Sequence, residues 1–174
     1  PTSMPITEEH GSISGRLWHD ICVNDETGSI PDGCVESAGA YRANGDLDDG
    51  EEGIQGAVVK LGKGACPAGG FSAAVTNKQG AYSFDQLPPG VYCVSVDRSG
   101  SIPSLNEPGI WTHPLDVSNE GPGSYTVVVE EGQNREEVNF GWDYLLRPEG
   151  QPAVPVETQQ PVATPEPVCL NSAV

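Results

Sequence analysis

The chain has 174 residues, and its 8 Lys and Arg residues against 25 Asp and Glu residues give a net charge of −17. Such an acidic chain lacks the basic surface that nucleic acid or an anionic membrane requires, so we expect neither as a partner, whereas divalent cations and basic partners fit the charge. No apolar run approaches the roughly 20 residues of a membrane helix, so we expect no direct membrane insertion.

The length fits one domain with tails. The 22 glycines, 16 prolines and 6% aromatic residues are typical of short strands joined by turns. The chain begins at Pro1 rather than at Met, so we expect a processed or truncated product. We interpret residues 1–10 as a polar linker and residues 11–145 as the domain.

Within residues 11–145, short runs rich in Val, Tyr, Phe and Ala alternate between apolar and polar residues, and none has a helical period. This pattern predicts an all-β fold, an antiparallel Greek-key β-sandwich of about seven strands. The predicted strands are 13–19, 55–61, 71–76, 82–84, 91–96, 125–129 and 137–142.

Two turn signals connect the central strands. Residues 77–80, Asn-Lys-Gln-Gly, predict a hairpin turn in which Gly80 supplies a positive φ. Residues 87–90, Leu-Pro-Pro-Gly, predict a second sharp turn. Together they predict the unit strand, turn, strand, turn, strand over residues 72–96.

The chain contains five cysteines without a CxxC motif or a zinc-finger spacing, so a zinc–thiolate site is not expected. Two disulfides with one cysteine left over indicate an oxidising compartment. We pair Cys22 with Cys34, which bracket a loop, and Cys66 with Cys93, which lie after and within predicted strands, although three pairings among these four are open.

Beyond the predicted domain the composition changes. Residues 146–167 carry a proline every few positions and predict an extended, semi-rigid spacer. Residues 168–174 turn apolar again around the fifth cysteine, Cys169, and we interpret them as the start of a following module that holds its disulfide partner. The alternative is an ordered tail that folds back or pairs between chains.

An acidic, glycine-punctuated run precedes the strand 55–61 and leads to a family resemblance. Residues 17–20 (LWHD), 44–61, 76–94 and 138–142 (VNFGW) resemble, in the right order, the opening, central and closing motifs of an SdrD B-like repeat. The resemblance implies a prealbumin-like, CnaB-type β-sandwich. It also implies modules that stand in series on bacterial surface proteins, carry Ca²⁺ and act as stalks. Cys66 and Cys93 resemble those of a disulfide-bearing branch of such domains.

The resemblance also implies a calcium site, for which hard oxygen ligands at alternating positions are suited. The family loop is contiguous, whereas here the insert 21–42 separates Asp20 from Asn44, with Asp25 and Asp32 as substitute ligands. The alternative is a solvated acidic loop without a fixed ion. Transferred residue by residue, the metal ligands are Asp20, Asn44, Asp46 through its backbone carbonyl, Asp48 and Glu51, with Gly45 at the sharp turn.

No nucleophile elbow or HExxH motif occurs, and we expect no enzyme. We predict a non-catalytic, extracellular structural or stalk module of a bacterial cell-surface or secreted protein, stabilised by Ca²⁺ and disulfides. Neighbouring copies, modules or other proteins would be its partners. The alternative is an adhesive module that uses the insert 21–42 and the loop 97–111 to bind protein or cell-surface glycans. Trp111 would then be a ligand contact.

Overall fold

The computed structural model describes residues 9–22, 32–37, 39–98, 105, 109–114 and 123–143. The described residues form eleven β-strands and confirm the predicted all-β fold class. The strands are β1 (Gly11–His19), β2 (Cys34–Ser37), β3 (Ala40–Ala43), β4 (Val58–Lys63), β5 (Ser72–Val75), β6 (Ala81–Leu87), β7 (Gly90–Val96), β8 (Ile110–His113), β9 (Ser124–Val129), β10 (Asn134–Arg135) and β11 (Phe140–Asp143).

Two sheets pack face to face. In the sheet that we call the front sheet, β1 is central: β6 pairs antiparallel along one edge, while β10 and β11 pair parallel along the other, and β8 continues the sheet beyond β11. The back sheet has the order β5-β4-β7-β9 and is antiparallel throughout. A separate hairpin, β2-β3, stands apart from both sheets.

The core lies between the front and back sheets and follows from the period-two alternation of their strands. In β4 Val59 and Leu61 are buried on either side of the exposed Lys60, and in β6 Tyr82 and Phe84 are buried on either side of the exposed Ser83. Aromatic rings fill the centre, where Phe140 contacts both the buried Tyr82 and the partly buried Tyr125. The fully buried large side chains include Ile13, Leu17, Trp18, Val59, Leu61, Tyr92, Val94, Leu105, Val129, Phe140 and Trp142.

Each predicted strand has a counterpart, but four strands were missed. Strand β4 begins at Val58 rather than at residue 55, and β11 covers only the end of the predicted 137–142. The missed strands are β2 and β3 in the insert, β8, and the two-residue β10. Because β8 spans Ile110–His113, the last part of the predicted binding loop 97–111 is a paired strand instead.

The turn at Asn77–Gly80 forms, but it does not join a hairpin. Gly80 has φ 72° and donates its N–H to the Asn77 carbonyl at 2.9 Å, as a tight turn requires. However, β5 before the turn pairs with β4, and β6 after it pairs with β1. The turn therefore carries the chain from the back sheet to the front sheet, and the prediction of a hairpin was wrong.

The structure contains the disulfides Cys22–Cys34 and Cys66–Cys93, the two pairs expected from the sequence. The second one fastens the loop 64–71 to the outer face of the back sheet, where the Cys66 N–H also donates to Thr126 Oγ1 at 3.0 Å. A Cβ on Gly62 would lie 2.2 Å from the Ala68 carbonyl carbon, so only glycine allows this loop to lie so close to β4.

The remaining predictions on chain organisation lie outside the described residues. These are residues 1–8 of the linker, the spacer 146–167 and the segment 168–174 with Cys169. Within the described residues, no helix has the length and apolar character needed to cross a bilayer.

Removing the Cys66–Cys93 bridge is expected to lower the free energy of unfolding by about 3 kcal/mol, because the bridge constrains a long loop of the unfolded chain. The double variant Cys66→Ala/Cys93→Ala would be compared with the parent by urea unfolding. The matched control is Cys22→Ala/Cys34→Ala, which opens a shorter loop and should cost slightly less. Equal stability of parent and Cys66→Ala/Cys93→Ala would contradict this expectation.

Candidate functional site

The acidic loop, which we define as residues 44–53, connects β3 to β4 and lies beside the end of β1. Directly after β1, the Asp20 N–H donates to the Trp142 carbonyl of β11 at 3.1 Å, and the Asp20 side chain is fully buried. On the same strand, the His19 N–H donates to the Glu52 carbonyl at 2.9 Å. The loop is therefore anchored to the end of the front sheet where the first and last strands meet.

The insert does not separate Asp20 from the acidic loop. Although Gly45 lies 25 positions after Asp20 in sequence, its N–H donates to Asp20 Oδ2 at 2.8 Å. The Asn44 N–H donates to the Gly33 carbonyl at 3.0 Å, and the Cys22–Cys34 bridge brings its two Cα atoms to 5.0 Å. These contacts close the base of the insert, so the two parts of the interrupted loop lie next to each other.

The other acidic side chains form a chain of hydrogen bonds around this junction. Asn44 Nδ2 donates to Asp48 Oδ2 at 2.8 Å, and the Asp46 N–H donates to Asn44 Oδ1 at 2.7 Å. Glu51 accepts from both sides of the insert, through Oε1 from the Ile21 N–H at 2.7 Å and through Oε2 from the Asp48 N–H at 2.9 Å. The loop thus gathers carboxylate and amide oxygens while the backbone N–H groups fix their orientation.

Burial dominates the electrostatics of Asp20. The pKa of Asp20 is raised from 3.8 to about 7. Desolvation by burial is the main cause and the nearby charges of Glu51 and Asp143 add to it, while the Thr112 hydroxyl and the Gly45 N–H oppose the rise. Because its negative charge is so unfavourable here, the buried carboxylate is a group that a bound cation would stabilise.

Two buried oxygens at this position have no hydrogen-bond partner. They are Asp20 Oδ1 and Thr112 Oγ1, on side chains that are 0% and 4% exposed. Unpaired buried oxygens of this kind are unfavourable and fit a site for a hard cation. In the described part of the chain, no group of three or more His, Cys, Asp or Glu side chains is gathered as a metal site, so any ion would depend on amide, hydroxyl or carbonyl oxygens as well.

The structure brings most of the ligands predicted from the sequence together, but not all of them. Asp20, Asn44, Asp48 and Glu51 are linked through the hydrogen bonds above, whereas Asp46 is exposed and contributes its N–H to the turn. Of the two suggested substitutes, Asp32 is exposed and Asp25 lies outside the described residues. Sequence reasoning missed Thr112 and Asp143, which come from β8 and β11.

Trp111 is half-buried in a cluster of aromatic rings. Its ring packs edge-on against Trp142 at 4.9 Å and against Phe140 at 6.0 Å between ring centroids. A Cβ on Gly123 would lie 2.5 Å from the indole, so the backbone covers part of one side. Its role as a ligand contact stays a prediction.

Replacing Asp20 by Asn should remove a pH-dependent loss of stability. The raised pKa means that the parent binds a proton more tightly when folded, so in chelator it loses stability as the pH rises from about 4 to about 7. Over this window the difference in unfolding free energy, Asp20→Asn minus parent, should rise by at most about 4 kcal/mol. Urea unfolding at several pH values measures this difference, and Asp85→Asn, at an exposed residue of β6, is the control. A difference that is constant with pH would contradict the assignment.

Comparisons with known proteins identify the domain. Residues 40–142 match the family model of the SdrD B-like domain. Among solved structures, a DUF3823 family protein from Parabacteroides merdae ATCC 43184 is 14% identical, with coverage of 79% of this chain and 47% of that chain and a TM-score of 0.38. The full-length major pilin SpaD from Corynebacterium diphtheriae is also 14% identical, with coverage of 77% and 32% and a TM-score of 0.36.

The chain thus spans half or less of the length of these two structures. A search of curated proteins finds no match. The family model covers more than half of the chain and includes the acidic loop, β4 and β11. The chain therefore belongs to the SdrD B-like domain family.

Proposed function

We propose that this domain is a non-catalytic, extracellular structural module of a bacterial cell-surface or secreted protein, and that it serves as a stalk unit rigidified by Ca²⁺ and two disulfides. Family membership and the disulfides support a surface location, because disulfides persist in oxidising compartments. The observation that carries the proposal is the hydrogen bond from Gly45 to buried Asp20, which rejoins the acidic loop across the insert.

The strand order supports a role in series with other modules. Among the described residues the first and last strands are β1 and β11, which run parallel, with Leu17 opposite Phe140 and His19 opposite Trp142. The chain therefore enters the front sheet at Gly11 and leaves it at Asp143, about 30 Å away at the strand rise of 3.3 Å per residue. Tension between these two points would act along the strands and load their hydrogen bonds together.

The acidic loop lies at the exit end of this sheet, where extra crosslinking has the largest effect on the terminal strands. Asp20 follows β1 and bonds to β11, while Asp48 and Glu51 belong to the segment that enters β4 of the back sheet. Bound Ca²⁺ would neutralise these carboxylates and take about 6–8 oxygen ligands. Asp20, Asn44, Asp48 and Glu51 are the side chains that would hold it, so the ion would tie the front sheet to the back sheet.

The hydrogen bonds of the loop support a structural rather than a catalytic use of its carboxylates. Both oxygens of Glu51 accept backbone N–H groups, and Asp48 Oδ2 accepts from Asn44. A catalytic acid pair would instead need a cleft in which one carboxyl is free to meet a substrate. The alternative binding function depends on the insert 21–42 and the loop 97–111, much of which lies outside the described residues.

Calcium titration of the parent should show binding, and Asp48→Ala and Glu51→Ala should each weaken it by at least about ten-fold, because each removes an oxygen ligand. Calorimetry measures the affinity directly. The exposed carboxylate Asp85 is the matched control, so Asp85→Ala should bind as the parent does.

Calcium should also stabilise the fold, since the ion binds the folded state preferentially. At a concentration 100-fold above its Kd, the gain is about 2.7 kcal/mol, which should raise Tm by several degrees relative to chelator. Absence of binding by the parent, or unchanged affinity in both Asp48→Ala and Glu51→Ala, would overturn the proposed calcium site.

A further inference from the structure

We propose that the hydroxyl of Thr112 is a further ligand of the calcium ion, supplied by β8 from the sandwich side of the acidic loop. The inference rests on the proposed calcium site and extends it to a residue that lies far from the loop in sequence.

The backbone places Thr112 directly beneath the sharp turn of the loop. Strand β8 pairs with β11, and β11 holds the end of β1 through the bond from Asp20 to Trp142. A Cβ on Gly45 would lie 2.9 Å from the Thr112 carbonyl oxygen. Thr112 is thus in contact with the residue whose N–H group binds Asp20, and it forms part of the floor of the site.

The side chain of Thr112 points into a space kept free by glycine. A Cβ on Gly141 of the neighbouring strand would lie 2.5 Å from Thr112 Oγ1, a separation that real Cβ atoms do not show. A larger residue at Gly141 would therefore displace the hydroxyl. Gly141 thus leaves room for the Thr112 hydroxyl, and Gly45 leaves room for the Thr112 carbonyl group.

Two buried oxygen atoms beside this space have no full hydrogen bond. Thr112 is 4% exposed and Asp20 is 0% exposed, yet neither Thr112 Oγ1 nor Asp20 Oδ1 makes a hydrogen bond. The hydroxyl is still close enough to oppose the upward shift of the Asp20 pKa. A buried carboxylate and a buried hydroxyl that lie close together suit a cation that both of them coordinate.

The charges around Asp20 Oδ1 and Thr112 Oγ1 favour a cation over a neutral ligand. The carboxylates of Glu51 and Asp143 both act on Asp20 and make its negative charge less favourable. Asp143 is itself 4% exposed and follows Trp142 on β11. A hydroxyl adds a hard oxygen without adding a further negative charge, which suits a position among three carboxylates.

The insert also changes which side chains near Asp20 are able to bind a cation. Cys22 lies two residues after Asp20, at the start of the insert, and is held in a disulfide. The side chain two residues after Asp20 is therefore unable to supply a hard oxygen. Thr112 offers one to the same carboxylate from the opposite side.

The test is Thr112→Val, an isosteric change that removes the hydroxyl, with Thr112→Ser as the matched variant that keeps it. Calcium affinity is measured by calorimetry and Tm is measured in both calcium and chelator. We expect Thr112→Val to weaken calcium binding by at least about ten-fold, and Thr112→Ser to bind within about three-fold of the parent.

The Tm measured in chelator distinguishes a calcium ligand from a hydroxyl that stabilises the fold without calcium. The Thr112 hydroxyl also favours the charged form of Asp20 without calcium, so Thr112→Val should melt in chelator within a few degrees of the parent. It should gain less from calcium than the parent does. A drop in Tm of the same size in chelator and in calcium would mean a structural role and would overturn the inference.

The outcomes also separate this inference from the proposed function. If the parent does not bind calcium, the proposed site and the ligand assignment both fail. If the parent binds calcium and Asp48→Ala weakens it, but Thr112→Val binds as the parent does, the site stands and only the assignment of Thr112 fails.

Discussion

The structure depends on one hydrogen bond, from the Gly45 N–H to the buried carboxylate of Asp20 at 2.8 Å. It joins the end of the first strand to a loop that lies beyond a long insert, and it does so where the terminal strands β1 and β11 meet. Asp20 is completely buried, so leaving it without this donor would be costly. The acidic loop therefore keeps its place beside the end of β1, although the insert separates the two in sequence.

Sequence reasoning reached the sandwich because the relevant signals are local. The alternation of apolar and polar residues predicted β4 and β6, and Pro88 and Pro89 predicted the turn between β6 and β7. These local signals did not predict which strands pair when the partners are far apart in sequence. The turn at Gly80 looks the same whether the next strand pairs with β5 or crosses to the front sheet, so only the packed core decides between the two.

The candidate site was predicted in part for the same reason. Asn44, Asp48 and Glu51 stand in one acidic run, whereas Thr112 and Asp143 enter the site through the pairing of β8 with β11. The segment containing Thr112 lies among prolines and glycines that resemble a loop, although Ile110, Trp111 and Thr112 themselves favour a strand. The bracketing pair Cys22 and Cys34 was the available sign that the insert closes on itself.

The central claim is that Asp20 and the acidic loop form one calcium site across the insert. A crystal structure of the parent with bound calcium, located by its anomalous scattering, tests this most directly. The account predicts a peak within about 2.3–2.6 Å of oxygens of Asp20, Asp48 and Glu51. A peak bound by the loop alone, with Asp20 still bonded only to Gly45, or no peak at saturating calcium, would contradict it.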